Sequence, residues 1–216
     1  MIILYLYLSC LLLSAIVATV FRRYLKSRQA VLFIPYLWYV FLQEVGVIVA
    51  NALGVLAKSG IVYNFYRPVC TTIFVVFYYR LAINAPVRKL ISWMYAVYLM
   101  VTVVTFVFIK PVSEYNSYLS LASGLVITCC GIFFLFNYFN IDNSSEEKKW
   151  QPVIWITIGV TTFYPVVNIS FAFYKALLAY DASIFGTKLY QLIPRVMSII
   201  MYSCFSYAFY LCKKKN

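Results

Sequence analysis

Long apolar runs separated by short polar links dominate the chain, and seven of these runs are long enough to cross a bilayer. A helix needs about 20 mainly apolar residues to span a hydrocarbon layer roughly 30 Å thick, and helices satisfy their own backbone groups in lipid. The pattern predicts an all-α polytopic membrane protein, with a single seven-helix transmembrane domain over residues 1–216. The predicted spans cover about 2–21, 30–57, 61–83, 90–109, 117–139, 152–174 and 189–211.

The charges in the links predict the orientation of these spans. Short cytoplasmic loops of membrane proteins are enriched in lysine and arginine, and tryptophan is enriched at membrane interfaces. The link after the first span holds Arg22, Arg23, Lys26 and Arg28. If this link is cytoplasmic, twelve of the eighteen cations lie on that side, and all four tryptophans fall toward the same ends of their spans. The pattern predicts an external N-terminus and a cytoplasmic C-terminus.

Composition supports the same class and narrows the expected partners. The chain is 64% hydrophobic, which is outside the range of soluble globular domains. A net charge of +12 would suggest nucleic acid in a soluble protein, but here the cations lie mostly in short loops between apolar spans. We therefore expect anionic lipid headgroups at the cytoplasmic loops as partners, and no nucleic acid.

Glu44 is the most informative residue in the sequence, because it lies near the middle of the second span. A charged residue at a membrane centre costs about 2.5–3.5 kcal/mol on insertion scales. Glu44 should therefore be protonated, paired with a cation or facing water. Asn51 follows seven residues later, about two helical turns along, and falls on nearly the same face. We expect that face to point into the helix bundle.

Two arginines lie within apolar spans, Arg67 before Pro68 and Arg195 after Pro194. Each is about six residues from the outer end of its span, or roughly 9 Å at 1.5 Å per residue. The two arginines should therefore share a depth in the outer leaflet. Other polar residues at a similar level complete a predicted layer, with Asn51 from the second span: Asn64, Asn168 and Gln191.

This polar layer allows two interpretations. It can form an outward-opening pocket whose guanidinium groups attract an anion, with Glu44 as its floor or as a proton acceptor. Alternatively, the arginines extend to the headgroups and Glu44 only neutralises one of them. Either arginine is a candidate partner for Glu44.

Missing residue types argue against catalysis. The sequence contains no histidine, which removes Ser-His catalysis, histidine-ligated haem and most zinc chemistry. Asp181 lies in an outer link without a second intramembrane aspartate, so no protease dyad is expected. No cysteine pair has metal-binding spacing. We expect no enzymatic activity, no catalytic or metal-binding residue and no cofactor.

Several short motifs resemble those of uncharacterised seven-helix bacterial inner-membrane proteins of about this length. The motifs extend over nearly the whole chain: Gln43-Glu44-Val45-Gly46, Tyr63-Asn64, Phe77-Tyr78, Trp155 with Tyr164, and Tyr202 with Cys212-Lys213. The resemblance implies a polytopic inner-membrane protein and implies no particular activity. Similar seven-helix modules are fused to signalling domains in bacterial sensors; no such domain is recognised here, so we expect a partner protein.

Two functions follow as hypotheses. The first is a binding or sensory membrane module with an outward-facing polar pocket for a small anionic ligand. The second is a small transporter or channel in which Glu44 is the coupling carboxylate and the prolines within the spans are flexing points. A water-filled path reaching Glu44 from both sides would favour the transporter. A cytoplasmic half filled by side chains such as Phe133, Phe134 and Phe136 would favour the sensor.

Overall fold

The computed structural model describes residues 2–25, 29–54, 60–82, 84–109, 111–112, 116–140, 147–180, 183–184 and 187–214. The first half contains α1 (Ile2–Val20), α2 (Arg22–Leu25), a 3-10 turn (Ala30–Leu32), α3 (Phe33–Ala52), α4 (Gly60–Leu81) and α5 (Ala85–Val104), which a π-helical turn extends over Thr105–Ile109. The second half contains α6 (Ser117–Asn140), α7 (Glu147–Ala172), α8 (Tyr174–Ala179) and α9 (Leu189–Lys214). A hairpin of β1 (Ser183–Ile184) and β2 (Thr187–Lys188) precedes α9.

The prediction of an all-α chain with seven apolar helices is confirmed in the described part of the chain. The helices long and apolar enough to cross a membrane are α1, α3 with its preceding turn, α4, α5 with its π-helical extension, α6, α7 and α9. The short α2, α8 and hairpin lie in the links between them. The fold is therefore that of a multi-pass helical membrane protein.

Three helix ends differ by five residues from the predicted ones. The sixth span was predicted to begin at residue 152, but α7 begins at Glu147. The second span was predicted to reach residue 57, but α3 ends at Ala52. Gly54 has a φ of 68°, a left-handed conformation that glycine adopts without strain and that commonly ends helices. The fourth span was predicted to begin at residue 90, but α5 begins at Ala85. Pro86 occupies the first turn of α5, where a missing N–H costs no helical hydrogen bond. The predicted residues 55–57 lie outside the described part of the chain.

Six of the long helices close into a ring, and α5 lies outside it. The order around the ring is α1, α3, α4, α6, α7 and α9, which packs back on α1. Helix α5 packs on α4 and α6 from the outside. The α6–α7 crossing is close because Gly124 faces Asn168, where a side chain would overlap the Asn168 amide. Small residues commonly allow such close approach between membrane helices.

One half of the ring interior is filled by an aromatic plug: Phe33, Phe74, Phe77, Phe205 and Phe209. The ring of Phe33 lies at its centre, and the four other ring centroids are 4.9–6.4 Å away. All five side chains have no exposed surface. The plug lies toward the end of the bundle that the charge pattern predicts to be cytoplasmic.

The phenylalanines suggested from sequence do not form this plug. Phe136 is 65% exposed on the outer surface of α6. Phe134 packs beside Tyr78 and Trp150, away from Phe33. The interior is instead filled from α3, α4 and α9, because their apolar faces point to the ring centre.

Candidate functional site

A cavity of about 510 Å³ lies in the other half of the bundle. Five helices form its walls: α1, α3, α4, α7 and α9. It is found where α3 ends and where α4 and α9 begin. Five of the seven residues predicted from sequence to form a binding site line it: Glu44, Asn51, Arg67, Gln191 and Arg195.

Glu44 is half-buried in the wall that α3 contributes. Among neighbouring charged groups, Arg195 interacts most strongly with its carboxylate, followed by Arg67. The hydroxyl of Tyr7 on α1 also interacts with this carboxylate. Three helices distant in sequence therefore converge on Glu44, and the predicted grouping of one carboxylate with two guanidinium groups is present.

The two arginines are half-buried and reach the cavity from opposite walls. The guanidinium of Arg67 lies over the ring of Phe171 on α7, with its Cζ atom 5.7 Å from the ring centroid. A guanidinium over an aromatic face gains a cation–π attraction that also fixes its plane. Threonine hydroxyls donate to the backbone carbonyls of Arg67 and Pro68, at 2.8 and 2.7 Å. Threonine in a helix commonly bonds in this way to the carbonyl four residues earlier.

Asn51 and Gln191 lie at the mouth of the cavity and are exposed. The side-chain nitrogen of Gln191 donates to the hydroxyl of Tyr190, at 3.3 Å. Because both amides line the cavity and also contact the outside, the cavity reaches the surface at this end of the bundle.

Two predicted site residues, Asn64 and Asn168, do not line the cavity. Asn64 is buried; its side-chain nitrogen donates to the Val112 carbonyl at 2.8 Å, and its side-chain oxygen accepts from the Asn116 N–H at 3.2 Å. Asn168 donates to the Leu121 carbonyl at 3.2 Å. Both amides hold helices or links together, and we exclude them from the binding site.

Helix geometry explains this outcome for Asn64. Residues three apart on an α-helix point in directions about 60° apart. Arg67 points into the cavity, whereas that rotation turns Asn64 toward the link before α6. Depth along the helix was estimated well, but the neighbouring element was not.

Tyrosine hydroxyls on the plug side of the cavity were not among the predicted site residues. Those of Tyr66, Tyr164 and Tyr202 interact with that of Tyr36, and we call these four residues the tyrosine cluster. The ring of Tyr202 also packs 6.2 Å from that of Tyr7. The cluster lies between the cavity and the aromatic plug, so hydroxyl groups form the cavity floor. With 21 tyrosines in the chain, tyrosine alone is a weak signal.

The charge of the cavity has the same sign whatever the protonation state of Glu44. In the described part of the chain, two guanidinium groups and one carboxylate, that of Glu44, line it. The net charge of these three groups is therefore +1 or +2. Among the described residues, no group of three or more histidine, cysteine, aspartate or glutamate side chains could hold a metal ion. The arrangement suits an anionic ligand better than a metal cation.

These features define a multi-pass helical bundle with a positively charged cavity at one end and an aromatic plug at the other. No protein-family model matches the chain, and no curated protein or solved structure matches it at a significant level. The cavity itself is therefore the basis for a functional assignment.

Proposed function

We propose that this protein is a plasma-membrane (inner-membrane) binding or sensory module that holds a small anion in its cavity and passes the signal to a partner protein. The observation that carries the proposal is the pair Arg67 and Arg195 in a cavity whose mouth is lined by the exposed Asn51 and Gln191. Burial in a low-dielectric surrounding strengthens the attraction between guanidinium groups and an anion. The aromatic plug supports binding over transport, because it closes the opposite half of the bundle.

We further propose that the cavity opens to the outside of the cell. The support is the sequence, in which twelve of the eighteen cations fall on the side opposite the cavity mouth. The same loops would contact anionic lipid headgroups. A reporter fused after Lys215 should read as cytoplasmic. Labelling of the link around Arg22 from outside the cell would reverse the orientation.

The binding proposal is tested by titrating purified protein in lipid nanodiscs with simple anions, including acetate, benzoate and phosphate. A ligand that binds only the folded state raises its melting temperature as the concentration passes the Kd. We expect at least one carboxylate to do so, and we expect Arg195→Gln and Arg67→Gln to weaken the effect by about tenfold or more. Arg88→Gln is the matched control, because Arg88 is exposed on α5 and outside the cavity.

The outcome that contradicts the proposal is specific. If no anion shifts the melting temperature, or if Arg88→Gln weakens binding as much as Arg195→Gln, the cavity is not an anion site.

A small transporter or channel is the second candidate, favoured by one observation. Glu44 interacts with Tyr7, whose ring packs on Tyr202 of the tyrosine cluster, so polar groups continue from the carboxylate toward the plug. Coupling carboxylates of transporters lie on such paths. Proteoliposomes distinguish the two functions: uptake of a bound anion that is lost in Glu44→Gln would favour transport, and binding without uptake would favour the sensory module.

A further inference from the structure

We infer that the ligand of this cavity is an aromatic monocarboxylate with a polar substituent on its ring. This inference rests on the proposed anion binding and adds the chemical class of the ligand. Three properties of the cavity lead to it: its charge, its aromatic walls and its hydroxyl floor.

The charged side chains that line the cavity indicate how many negative charges its ligand carries. Among the described lining residues, an ionised Glu44 with Arg67 and Arg195 gives a net charge of +1. A ligand with one negative charge brings the sum to zero, whereas a ligand with two leaves one charge uncompensated in a partly buried site. Uncompensated buried charge is strongly unfavourable. The cavity should therefore prefer a monoanion over a dianion of the same shape.

The walls favour an aromatic body. Eight of the twenty lining residues are tyrosine or phenylalanine, against 20% aromatic residues in the whole chain. One of these rings, Phe171, already lies against the guanidinium of Arg67. A planar ligand ring bound by Arg67 would meet aromatic faces and edges beside its anionic group. Aromatic contacts of this kind add to the gain from burying surface. The cavity volume of about 510 Å³ is within the usual range for small-molecule sites.

The floor favours a polar group at the far end of the ligand. Hydroxyls of Tyr36, Tyr66 and Tyr164 meet there, and all three residues line the cavity. These hydroxyls are buried with Tyr36 and Tyr164 and interact with one another, and a saturated acyl tail placed on them would add no hydrogen-bonding partner to that group. A ring hydroxyl or ring N–H would offer hydrogen bonds to them instead.

The experiment compares four probes of similar size on the wild-type protein in nanodiscs, by titration calorimetry. They are 4-hydroxybenzoate, cyclohexanecarboxylate, benzene-1,4-dicarboxylate and 4-hydroxybenzamide. We expect 4-hydroxybenzoate to bind about tenfold more tightly than each of the others. Cyclohexanecarboxylate lacks the aromatic ring, benzene-1,4-dicarboxylate carries two charges instead of one, and 4-hydroxybenzamide has no anionic group. This comparison needs no variant, so it does not depend on a substituted protein folding.

Two variants sharpen the test. Glu44→Gln raises the net charge of the cavity by one, so it should shift the preference toward benzene-1,4-dicarboxylate. Phe171→Leu should reduce the advantage of 4-hydroxybenzoate over cyclohexanecarboxylate while leaving the cations in place. Arg88→Gln should change neither ratio.

The outcomes separate this inference from the proposed function. If cyclohexanecarboxylate binds as tightly as 4-hydroxybenzoate, the aromatic inference is overturned while anion binding stands. If the dicarboxylate binds more tightly to the wild type, the single-charge step is overturned. If acetate, phosphate and all three carboxylate probes fail to bind, the proposed function itself fails.

Discussion

The electrostatic interaction between Glu44 and Arg195 should measurably stabilise the bundle, and a double-mutant cycle can isolate its contribution. Glu44→Gln removes the charge and keeps the shape of the side chain, and Arg195→Met keeps much of the stem. Exposed ion pairs contribute at most about 1 kcal/mol, whereas removing one member of a fully buried pair costs roughly 3–5 kcal/mol. Both side chains are half-buried beside a cavity that reaches the surface. An intermediate loss of about 2 kcal/mol for each single variant is therefore expected.

Thermal unfolding in detergent provides the measurement. For a chain of 216 residues, a loss of about 2 kcal/mol corresponds to a fall in melting temperature of roughly 4–8 °C. The double variant should recover part of the loss, with a coupling energy of about 1 kcal/mol or more. The cycle of Glu44 with Arg67 should give a smaller coupling, because Arg67 interacts with Glu44 less strongly than Arg195 does. Arg88→Met controls for the loss of any arginine.

Additive losses of stability in the Glu44 and Arg195 variants would refute the expected coupling between these two residues. If the Glu44 and Arg195 variants add within about 0.5 kcal/mol, the two groups are energetically independent. If Glu44→Gln also leaves the melting temperature unchanged, Glu44 is accommodated by hydration or by its own protonation. That result would favour the transporter hypothesis over the binding module, since a water-accessible carboxylate that does not stabilise the fold is suited to coupling.

Three further predictions concern packing, and melting temperature in detergent checks each of them. Gly124→Ala should lower the free energy of unfolding by about 1–3 kcal/mol, because its new methyl group overlaps the Asn168 amide of α7. Gly46→Ala is the control: nothing lies within 4 Å of its new methyl group, so the free energy of unfolding should stay the same or rise by up to about 1 kcal/mol. Equal effects of the two substitutions would contradict the α6–α7 contact. Asn64→Leu should lower the free energy of unfolding by about 1–3 kcal/mol, because it removes the hydrogen-bond partner of the Val112 carbonyl and the Asn116 N–H. Anion affinity should stay unchanged, and a loss of affinity would show that Asn64 belongs to the binding site. Phe33→Ala should lower the free energy of unfolding by about 3–5 kcal/mol, because it leaves a cavity at the centre of the plug. Phe136 is exposed, so Phe136→Ala should change the free energy of unfolding by no more than about 0.5 kcal/mol. Equal losses would argue against a plug centred on Phe33.

The spans were predictable from sequence because a membrane helix depends on the length of an apolar run, a property that neighbouring helices do not alter. The convergence of Glu44 with Arg67 and Arg195 was predictable for a related reason. Charges in a membrane protein are confined to inward faces, and position along a helix gives depth. Glu44 was predicted deeper than the two arginines, but long side chains that all face inward can close much of that difference in depth.

The order of helices around the ring was not accessible from sequence, and the errors follow from that. Asn64 is at the predicted depth but faces the link before α6, and Asn168 faces α6 across the close crossing at Gly124. Depth does not specify which neighbour a side chain meets. The tyrosine cluster was missed because tyrosine suits both interfaces and interiors, so its position alone does not predict a role.

The aromatic plug bears most directly on the choice between binding and transport. A transport cycle would have to open a path past Phe33, whose ring packs between four other buried rings from two helices, α4 and α9. Emptying one large buried aromatic position alone costs about 3–5 kcal/mol, so separating several at once needs a comparable gain elsewhere in the cycle. A binding module needs no such opening, because a ligand held by Arg67 and Arg195 above the tyrosine cluster can shift α7, which contributes no ring to the plug. Helix α7 carries Phe171 at the cavity, so it is the element through which an occupied cavity would act on a partner.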